Sequence, residues 1–505
     1  MKILLFTLIA LAVPLVTMAG NFVMFSYSGR AELEKHFSDP NLTVHFYTDS
    51  EVYATAERFD SGSMVMIDEN AFAENVCYTL VYCPKAQQQQ YNALYATQYY
   101  VIVRGPIEPY KNDGAVAIFN KKAHLPRLSR DFPQVTEENP TIREMLDQVS
   151  QDSMQATVQH LQDYGHRLWS SDNAFAASDW IAGRMRALGL EVEQQPFFAN
   201  TWFGSGEAAP NVIGIQRGTL YPDTYVVCGS HFDSFSWTVY YGGGMAPGAD
   251  DNATGVASVL ESARIMTQYE IEYSIIYCAY GCEEMGLYGS EAYASRCQEQ
   301  GMDIIGYFNN DMNGYLYGDQ IHIDCIYPNA VEPIGAYYRE VGSVYYPELP
   351  IRHVNFNDGD SDHTSFNNHG YMGIYPFEDY QNYSPYIHTP NDVIGTSVTS
   401  FEMSQQYCRM NIACLAEIAN PVTDGIEEVA DQPIMIYPNP AESVLNVVTE
   451  GLQKVMVYNM TGQLVETVEV GQDHCTLSVS AYPTGIYTIQ TVTANGVYNR
   501  NVVVK

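Results

Sequence analysis

The sequence predicts an α/β fold in which helices flank a central, mostly parallel twisted sheet, with a small N-terminal α+β or β domain and a C-terminal β-sandwich. Two observations predict the central domain, which we place at residues 136–422. Apolar runs of strand length alternate there with segments of helical spacing. Polar side chains follow several of these runs immediately, as they do at the carboxyl edge of a parallel sheet.

The first 19 residues are typical of a secretory signal peptide. Lys2 precedes an apolar run at residues 3–16, and Ala19 supplies the small residue expected before a cleavage site. The run is shorter than the roughly 20 apolar residues of a membrane-spanning helix. We therefore expect export, with no transmembrane anchor in the mature form.

Acidic residues dominate the charge: 59 acidic against 24 basic residues give a formal charge of −35. This balance argues against nucleic acid or an anionic membrane surface as a partner. The ten cysteines show no repeated CxxC spacing, which argues against cysteine as a metal ligand. The pairs 77/83 and 408/414 are close enough to form disulfides, and free thiols fit equally well.

Residues 20–135 form the predicted N-terminal domain. β-branched and aromatic runs such as LTVHFYT and CYTLVYC alternate with turn residues. The basic segment KKAHLPRLSR at residues 121–130 allows two interpretations. It is either a processing site that releases the N-terminal region as a propeptide, or a solvated linker after an accessory domain.

The central domain begins with helices predicted at residues 142–164 and, capped by Asp172, up to Gly189. Apolar strands are then predicted in the following ranges: 211–215, 225–230, 273–280, 304–309 and 371–376. His231, the pair Glu283-Glu284 and Asp311 directly follow three of them. We expect these side chains to meet at one edge of the sheet.

Further metal-type side chains lie in loops, namely Asp233, Asp250, Asp251, Asp362, His363, His388 and Asp392. Any one of them alone is more often a cap or a surface turn, but their convergence favours a metal centre. A set of His, Asp and Glu without cysteine suits catalytic zinc, or manganese or cobalt. Two metals can share a bridging carboxylate and activate one water, while a glutamate that is not a ligand acts as the base.

The chain resembles a known family along roughly residues 140–420. The segments SHFDS, APGADDNATG, EEMGLYGSEAY, NNDMNGY, SDHTSF and IHTPND are similar, in that order, to co-catalytic zinc aminopeptidases of the bacterial secreted leucyl aminopeptidase type. That family is also related to glutaminyl cyclases. The resemblance implies a secreted exopeptidase with two Zn²⁺ ions (Mn²⁺ or Co²⁺ being possible) that removes N-terminal residues from peptides.

The resemblance also implies roles for individual residues. His231 and Asp311 would bind one metal, Glu284 and His388 the other, and Asp251 would bridge them, with a cis bond to Asn252. A hydroxide held between the metals would attack the peptide carbonyl. Glu283 would be the general base, and Asp233 would hold the His231 ring from behind.

One departure from the family concerns the oxyanion. The relatives carry a tyrosine in a disulfide-closed loop before the SDH segment, where this chain has Asp358 and no cysteine. Tyr383 or Tyr386 could take its place, or the second zinc could act alone.

The last 70 residues differ again. After an acidic linker at residues 423–434, short strands with regular turn signals predict a small β-sandwich at 435–505. YPNPA, YNMTGQLV, PTGIYTI and the terminal VVVK resemble the sorting module of the type IX secretion system. This implies passage through the periplasm and outer membrane by that machinery, and a secreted or cell-surface enzyme.

Three rival functions remain open at this stage. A glutaminyl cyclase would share the fold but use a single zinc. A carboxypeptidase or dipeptidase of the same superfamily would differ only in its pocket walls. A non-catalytic surface-binding protein is the third, and the complete set of ligand-type residues argues against it.

Overall fold

The structure is a computed structural model, and it describes residues 20–48, 50–72, 76–107, 114–355, 361–422, 434–459, 464–493 and 496–505. The predicted signal peptide, Asp358 and all but the last residue of the predicted linker lie outside these ranges. The chain divides into two compact units, residues 1–422 and 423–505. Among the described residues no helix is both long and apolar enough to cross a membrane.

Residues 20–118 form two four-stranded antiparallel sheets, which we call the N-terminal β-sandwich. The first has the order β2-β3-β1-β4 and the second β6-β7-β5-β8. The elements are β1 (Asn21–Ser26), α1 (Arg30–Ser38), β2 (Leu42–Tyr47), β3 (Glu51–Ala56), β4 (Val65–Asp68), β5 (Tyr78–Tyr82), β6 (Tyr95–Ala96), β7 (Tyr100–Arg104) and β8 (Gly114–Ile118). Alternation along β1 divides its side chains: Phe22 faces the core shared by the sheets, and Val23 faces the core beneath α1.

The α/β domain contains nine helices and ten strands among its described residues. They are α2 (Pro140–Asp147), α3 (Gln151–Gln162), α4 (Asp172–Ala187), β9 (Glu191–Gln195), β10 (Phe198–Thr201), β11 (Gly204–Glu207), β12 (Asn211–Gln216), β13 (Tyr221–His231), α5 (Trp237–Tyr240), α6 (Gly255–Met266), β14 (Tyr273–Tyr280), α7 (Tyr288–Glu299), β15 (Asp303–Asn309), β16 (Ile323–Ile326), α8 (Glu332–Tyr345), β17 (Ile351–Val354), α9 (His363–Asn368), β18 (Gly373–Phe377) and α10 (Phe401–Ala419). The helix predicted at 142–164 is two helices, because Ser150 is extended and caps α3 through the Ser153 N–H.

Eight strands form the central sheet in the order β17-β16-β18-β15-β13-β14-β12-β9. The middle four, β14, β13, β15 and β18, are parallel as predicted. The sheet as a whole is mixed rather than mostly parallel, because β12 pairs antiparallel with both β14 and β9, and β16 pairs antiparallel with β18. The apolar run that predicted β12 resembles those of the parallel strands, so it did not reveal the pairing direction.

Helices cover both faces of this sheet. On β13, Val226 packs in the core formed with α2, α3, α4, α6, α8 and α10, while Val227 packs in the core with α7 and α9. This double burial explains why the middle strands are continuous apolar runs.

The C-terminal unit consists of two antiparallel sheets around one apolar core. Their strand orders are β19-β20-β23 and β22-β21-β24-β25. The strands are β19 (Met435–Tyr437), β20 (Val444–Val448), β21 (Leu452–Asn459), β22 (Leu464–Glu469), β23 (His474–Ser478), β24 (Gly485–Thr493) and β25 (Gly496–Val504). All ten cysteines of the chain lie in described residues, and all are free thiols.

A fully buried arginine connects elements of the α/β domain near the end of β13. Arg167 donates from Nε to the Phe232 carbonyl (2.6 Å), from Nη1 to those of Leu161 (2.9 Å) and Pro247 (2.6 Å), and from Nη2 to that of Gly248 (2.8 Å). Burial lowers the pKa of Arg167 to about 10, so the guanidinium remains charged at neutral pH. One side chain thus joins α3 to the segments that flank His231 and Asp251.

We expect Arg167→Lys to lower the free energy of unfolding by about 3 kcal/mol, since an ammonium cannot reach four carbonyls that a planar guanidinium satisfies. Urea unfolding of the full chain measures this. Arg184→Lys, on the exposed side of α4, is the matched control and should change stability by less than about 0.5 kcal/mol. Equal stability of the two variants would contradict the structural role of Arg167.

Candidate metal centre

The carboxyl edge of the central sheet brings the predicted side chains together. His231 is the last residue of β13, the pair Glu283-Glu284 follows β14, and Asp311 follows β15. Because β13 lies between β14 and β15 in the sheet, these three strand ends are neighbours. Asp251, before α6, and His388, after β18, approach the same place from loops.

Three side chains form the first set of metal-type donors. One ligand atom each of His231, Glu283 and Asp311 lie within 4.8 Å of one another. His231 Nε2 is 3.4 Å from Asp311 Oδ1 and 3.9 Å from Glu283 Oε2. The side chains of His231 and Asp311 are almost fully buried, at 1% and 6% exposure.

Asp251, Glu284 and His388 form the second set, again with ligand atoms within 4.8 Å. His388 Nε2 lies 2.8 Å from Glu284 Oε2 and 3.3 Å from Asp251 Oδ2. The other oxygen of Asp251, Oδ1, is 3.3 Å from His231 Nε2. Asp251 therefore faces both sets, one through each carboxylate oxygen.

Asp233 supports this arrangement from behind. Its carboxylate accepts the backbone N–H of Glu283 (3.0 Å) and of Glu284 (3.3 Å), which fixes the loop that carries both glutamates. His231 Nδ1 lies 3.2 Å from the Asp233 carbonyl oxygen and 3.5 Å from its Oδ1. The ring is held at Nδ1, and its Nε2 is left to face the donor sets.

The segment that carries Asp251 is an irregular turn at residues 249–254. The bond from Asp251 to Asn252 is cis, as the resemblance implied. Gly248 has φ +54, and a Cβ there would lie 2.5 Å from the Asp251 carbonyl oxygen, so only glycine fits. The Asp392 carboxylate accepts the N–H groups of Asp250 (2.9 Å) and Asp251 (3.0 Å).

The glutamate loop also has unusual backbone geometry. Cys282 and Leu287 are left-handed, with φ of +61 and +65, and Gly286 between them has φ +117. A left-handed conformation costs a non-glycine residue about 1–2 kcal/mol. The surrounding contacts must offset this cost.

The electrostatics of the site follow from its burial. Burial opposes the charge of Asp251, but hydrogen bonds from His231 and His388 lower its pKa below the usual range. Burial and repulsion by Asp251 raise the pKa of Glu284 to about 7. Burial, reinforced by nearby carboxylates, raises the pKa of Glu283 well above its usual range. Such concentrated acidic groups favour a divalent cation.

Other residues named from the sequence lie outside both donor sets. Asp362 is fully buried, and burial raises its pKa to about 7; burial of the adjacent His363 lowers its pKa to about 3. Tyr383 packs against Phe377, with ring centroids 5.9 Å apart, and Tyr386 is half-buried in the loop before His388. The oxyanion role of either tyrosine stays a prediction.

Sequence reasoning missed two supporting residues. Arg167 lies outside every motif, so nothing local marked it. Ser361 belongs to the SDH segment, but its own role was not predicted. Its hydroxyl donates to Asp311 Oδ2 (2.6 Å) and accepts from Asn309 Nδ2 (2.7 Å). The polar run Asn309-Asn310-Asp311, which begins at the last residue of the buried strand β15, was the available signal.

A third group of similar donors was also not predicted. His322, Asp324 and Asp379 have ligand atoms within 4.8 Å of one another. Arg352 donates to both oxygens of Asp324 (2.5 and 2.8 Å) and lies 3.6 Å from Asp379. An arginine therefore balances the carboxylates of this group.

Comparison with known proteins agrees with this geometry. Residues 211–410 match Peptidase family M28, and residues 435–505 match the secretion system C-terminal sorting domain. Leucine aminopeptidase 1 of Coccidioides posadasii is 25% identical over 322 residues, which cover 60% of this chain and 79% of that protein.

Two solved structures from Legionella pneumophila share the fold. LapA aminopeptidase has a TM-score of 0.55 at 18% identity and covers 68% of this chain and 99% of its own. LapB has a TM-score of 0.52 at 18% identity, with 79% of this chain and 99% of its own covered. The prediction of a metallo-aminopeptidase is confirmed by the family match and by the leucine aminopeptidase relative. Residues 211–410 are thus similar to peptidase family M28, and residues 435–505 are similar to the secretion system C-terminal sorting domain.

Proposed function

We propose that the protein is an exported two-zinc aminopeptidase that hydrolyses N-terminal residues from peptides. The observation that carries this proposal is the position of Asp251, whose two oxygens face His231 and His388 at 3.3 Å each. A carboxylate between two donor sets is the arrangement expected of a pair of metals that share one ligand.

The residues fit divalent metal ions. Asp311 Oδ1 is buried without a hydrogen-bond partner among the described residues, although a histidine nitrogen lies 3.4 Å away. Imidazole nitrogens and carboxylate oxygens are the donors of catalytic zinc, and manganese or cobalt could substitute. In our assignment His231 and Asp311 would hold one ion, Glu284 and His388 would hold the other, and Asp251 would be shared by both. Bound zinc supplies Lewis-acid polarisation of the substrate carbonyl and activation of water.

Glu283 is the proposed general base. Its Oε2 faces His231 Nε2 at 3.9 Å, and its loop is fixed by Asp233. From there its carboxylate takes a proton from the attacking water and returns it to the leaving amine. A cation held by the neighbouring residues would oppose the effect of burial on the Glu283 pKa.

Substrate selection rests on charge and on similarity to the relatives. The acidic donor sets favour a substrate with a free, positively charged N-terminus. The leucine aminopeptidases among the relatives support a preference for an apolar first residue.

The sorting domain at residues 435–505 supports export by the type IX machinery and a secreted or surface location. Together with the predicted signal peptide, it supports peptides outside the cytoplasm as the substrates.

The test of this function is mass spectrometry on a free-amine peptide beginning Gln-Leu, incubated with zinc-loaded protein. We expect stepwise loss of N-terminal residues, abolished by a chelator. The same peptide with an acetylated N-terminus is the control and should remain intact. Loss of ammonia alone would indicate a cyclase, and trimming from the other end a carboxypeptidase; either result contradicts the proposal.

Glu283→Gln should lower kcat about 10²–10⁴-fold, the usual contribution of a positioned acid–base group, and leave the zinc content unchanged. Steady-state kinetics and elemental analysis measure the two quantities. Glu348→Gln, on an exposed glutamate, is the matched control and should behave like the wild type. A Glu283→Gln variant with near wild-type kcat would contradict the base assignment.

Asp251→Ala should lose both metal ions as well as activity, because the bridging carboxylate serves both donor sets. Elemental analysis after dialysis should find about two zinc ions in the wild type. Asp319→Ala, which removes an exposed aspartate of the same domain, should retain them. Unchanged zinc in Asp251→Ala would rule out the bridging role.

A further inference from the structure

The core of the N-terminal β-sandwich includes a side chain of the α/β domain. Leu287, four residues after Glu283, is 3% exposed and packs in the apolar core between the two sheets. The same core contains Phe22 and Tyr53 of the first sheet and Leu80 of the second. The loop that carries the glutamate pair is therefore anchored in the N-terminal domain.

The backbone of this loop is also in contact with the sandwich. A Cβ at Gly286 would lie 3.1 Å from the backbone nitrogen of Ala117 in β8, so the backbone of this loop lies close to that of β8. The ring of Tyr288 packs edge to face against the ring of Phe119, with the ring centroids 5.4 Å apart. Three consecutive residues, 286–288, thus lie against β8 and the chain that follows it.

Local sequence rules do not explain leucine at position 287. The residue is the N-cap of α7, where Ser, Thr, Asp or Asn would supply a side-chain acceptor, and Leu287 makes no such bond. Its φ of +65 favours glycine or asparagine. Where local preferences fail, a tertiary contact must compensate, and burial in the sandwich core is that contact.

The anchor is connected tightly to the glutamates. The N–H groups of Gly286 and Leu287 both donate to the Glu283 carbonyl, at 2.8 Å each. On the opposite side Asp233 accepts the N–H groups of Glu283 and Glu284. The loop is held at two ends, so a shift of Leu287 moves the Glu283 backbone.

The segment after the N-terminal β-sandwich, residues 121–135, lies along the α/β domain. The His124 N–H donates to the Asn368 carbonyl (2.6 Å), that of Arg127 to Gly370 (3.1 Å) and that of Val135 to Glu340 Oε1 (2.9 Å). Ala123 and Leu125 are buried. A protease needs an accessible chain without such bonds, so these contacts oppose cleavage at residues 123–127 and at Val135.

We propose that the N-terminal β-sandwich remains part of the active enzyme and positions the Glu283-Glu284 loop by burying Leu287. Leu287 is a positioning residue, and the inference rests on the proposed function, which gives the two glutamates their roles.

The decisive variant is Leu287→Ala in the full chain. We expect kcat to fall about tenfold to a hundredfold, because displacing a catalytic group by about 1 Å slows the reaction by about that factor. The zinc content should not change. The KM should change less than about threefold, and Leu287→Met should restore kcat to within about threefold of the wild type. A Leu287→Ala variant with wild-type kcat overturns the proposal.

Leu80→Ala is the matched control, because Leu80 is buried in the same core but lies on β5. It should lower the melting temperature and leave kcat within about threefold of the wild type. An equal loss of kcat in both variants would mean that general core damage is the cause, and would overturn the positioning role. If Leu287→Ala fails to fold, Phe119→Ala takes its place. This variant removes only the ring that packs against Tyr288, and we expect it to lower kcat as well.

Two readouts separate this inference from the proposed function. Wild-type protein without aminopeptidase activity contradicts the function, whereas amide hydrogen exchange at residues 283–288 reports on the anchor without any turnover. Exchange there should accelerate in Leu287→Ala and not in Leu80→Ala, and equal exchange overturns the proposal. Intact mass of the active protein should include residues 20–135; an active species that begins after residue 135 would also overturn it.

Discussion

Burial of several carboxylates around Asp251 is the constraint on which the rest of the α/β domain depends. Asp250 and Asp392 are fully buried beside it, and burial raises the pKa of each above its usual range. A set of buried carboxylates is stable only when hydrogen bonds and cations offset the cost of removing their charges from water. The Asp392 carboxylate accepts two backbone N–H groups, and the His231 and His388 rings face the two oxygens of Asp251.

The sequence allowed this edge of the domain to be predicted because the relevant rule is local. Apolar runs of strand length end in polar residues, and parallel strands place those ends together. His231, Glu284 and Asp311 were found in this way, and the structure brings them to neighbouring strand ends. The resemblance to a family supplied what periodicity could not, namely the choice of Asp251 and His388 as ligands among the candidates in loops.

Contacts that depend on long-range geometry were not predictable in this way. Arg167 follows no motif, and its four carbonyl partners come from three separate segments. The antiparallel strands β12 and β16 have apolar runs like those of the parallel strands, so the sequence did not reveal their pairing direction. Leu287 is the instructive case: the sequence shows a poor helix cap, and only the tertiary core of the N-terminal β-sandwich explains it.

The group of His322, Asp324 and Asp379 shows that donor type alone does not define a metal centre. Its residues are those expected of zinc, but Arg352 donates two bonds to Asp324 and supplies the compensating charge. At the carboxyl edge the nearest buried arginine, Arg167, directs its bonds to backbone carbonyls instead. The carboxylates there retain oxygens that face the two histidines rather than a guanidinium. Among the described residues, this difference in charge compensation, together with the meeting of strand ends, distinguishes the Asp251 site from the group of His322, Asp324 and Asp379.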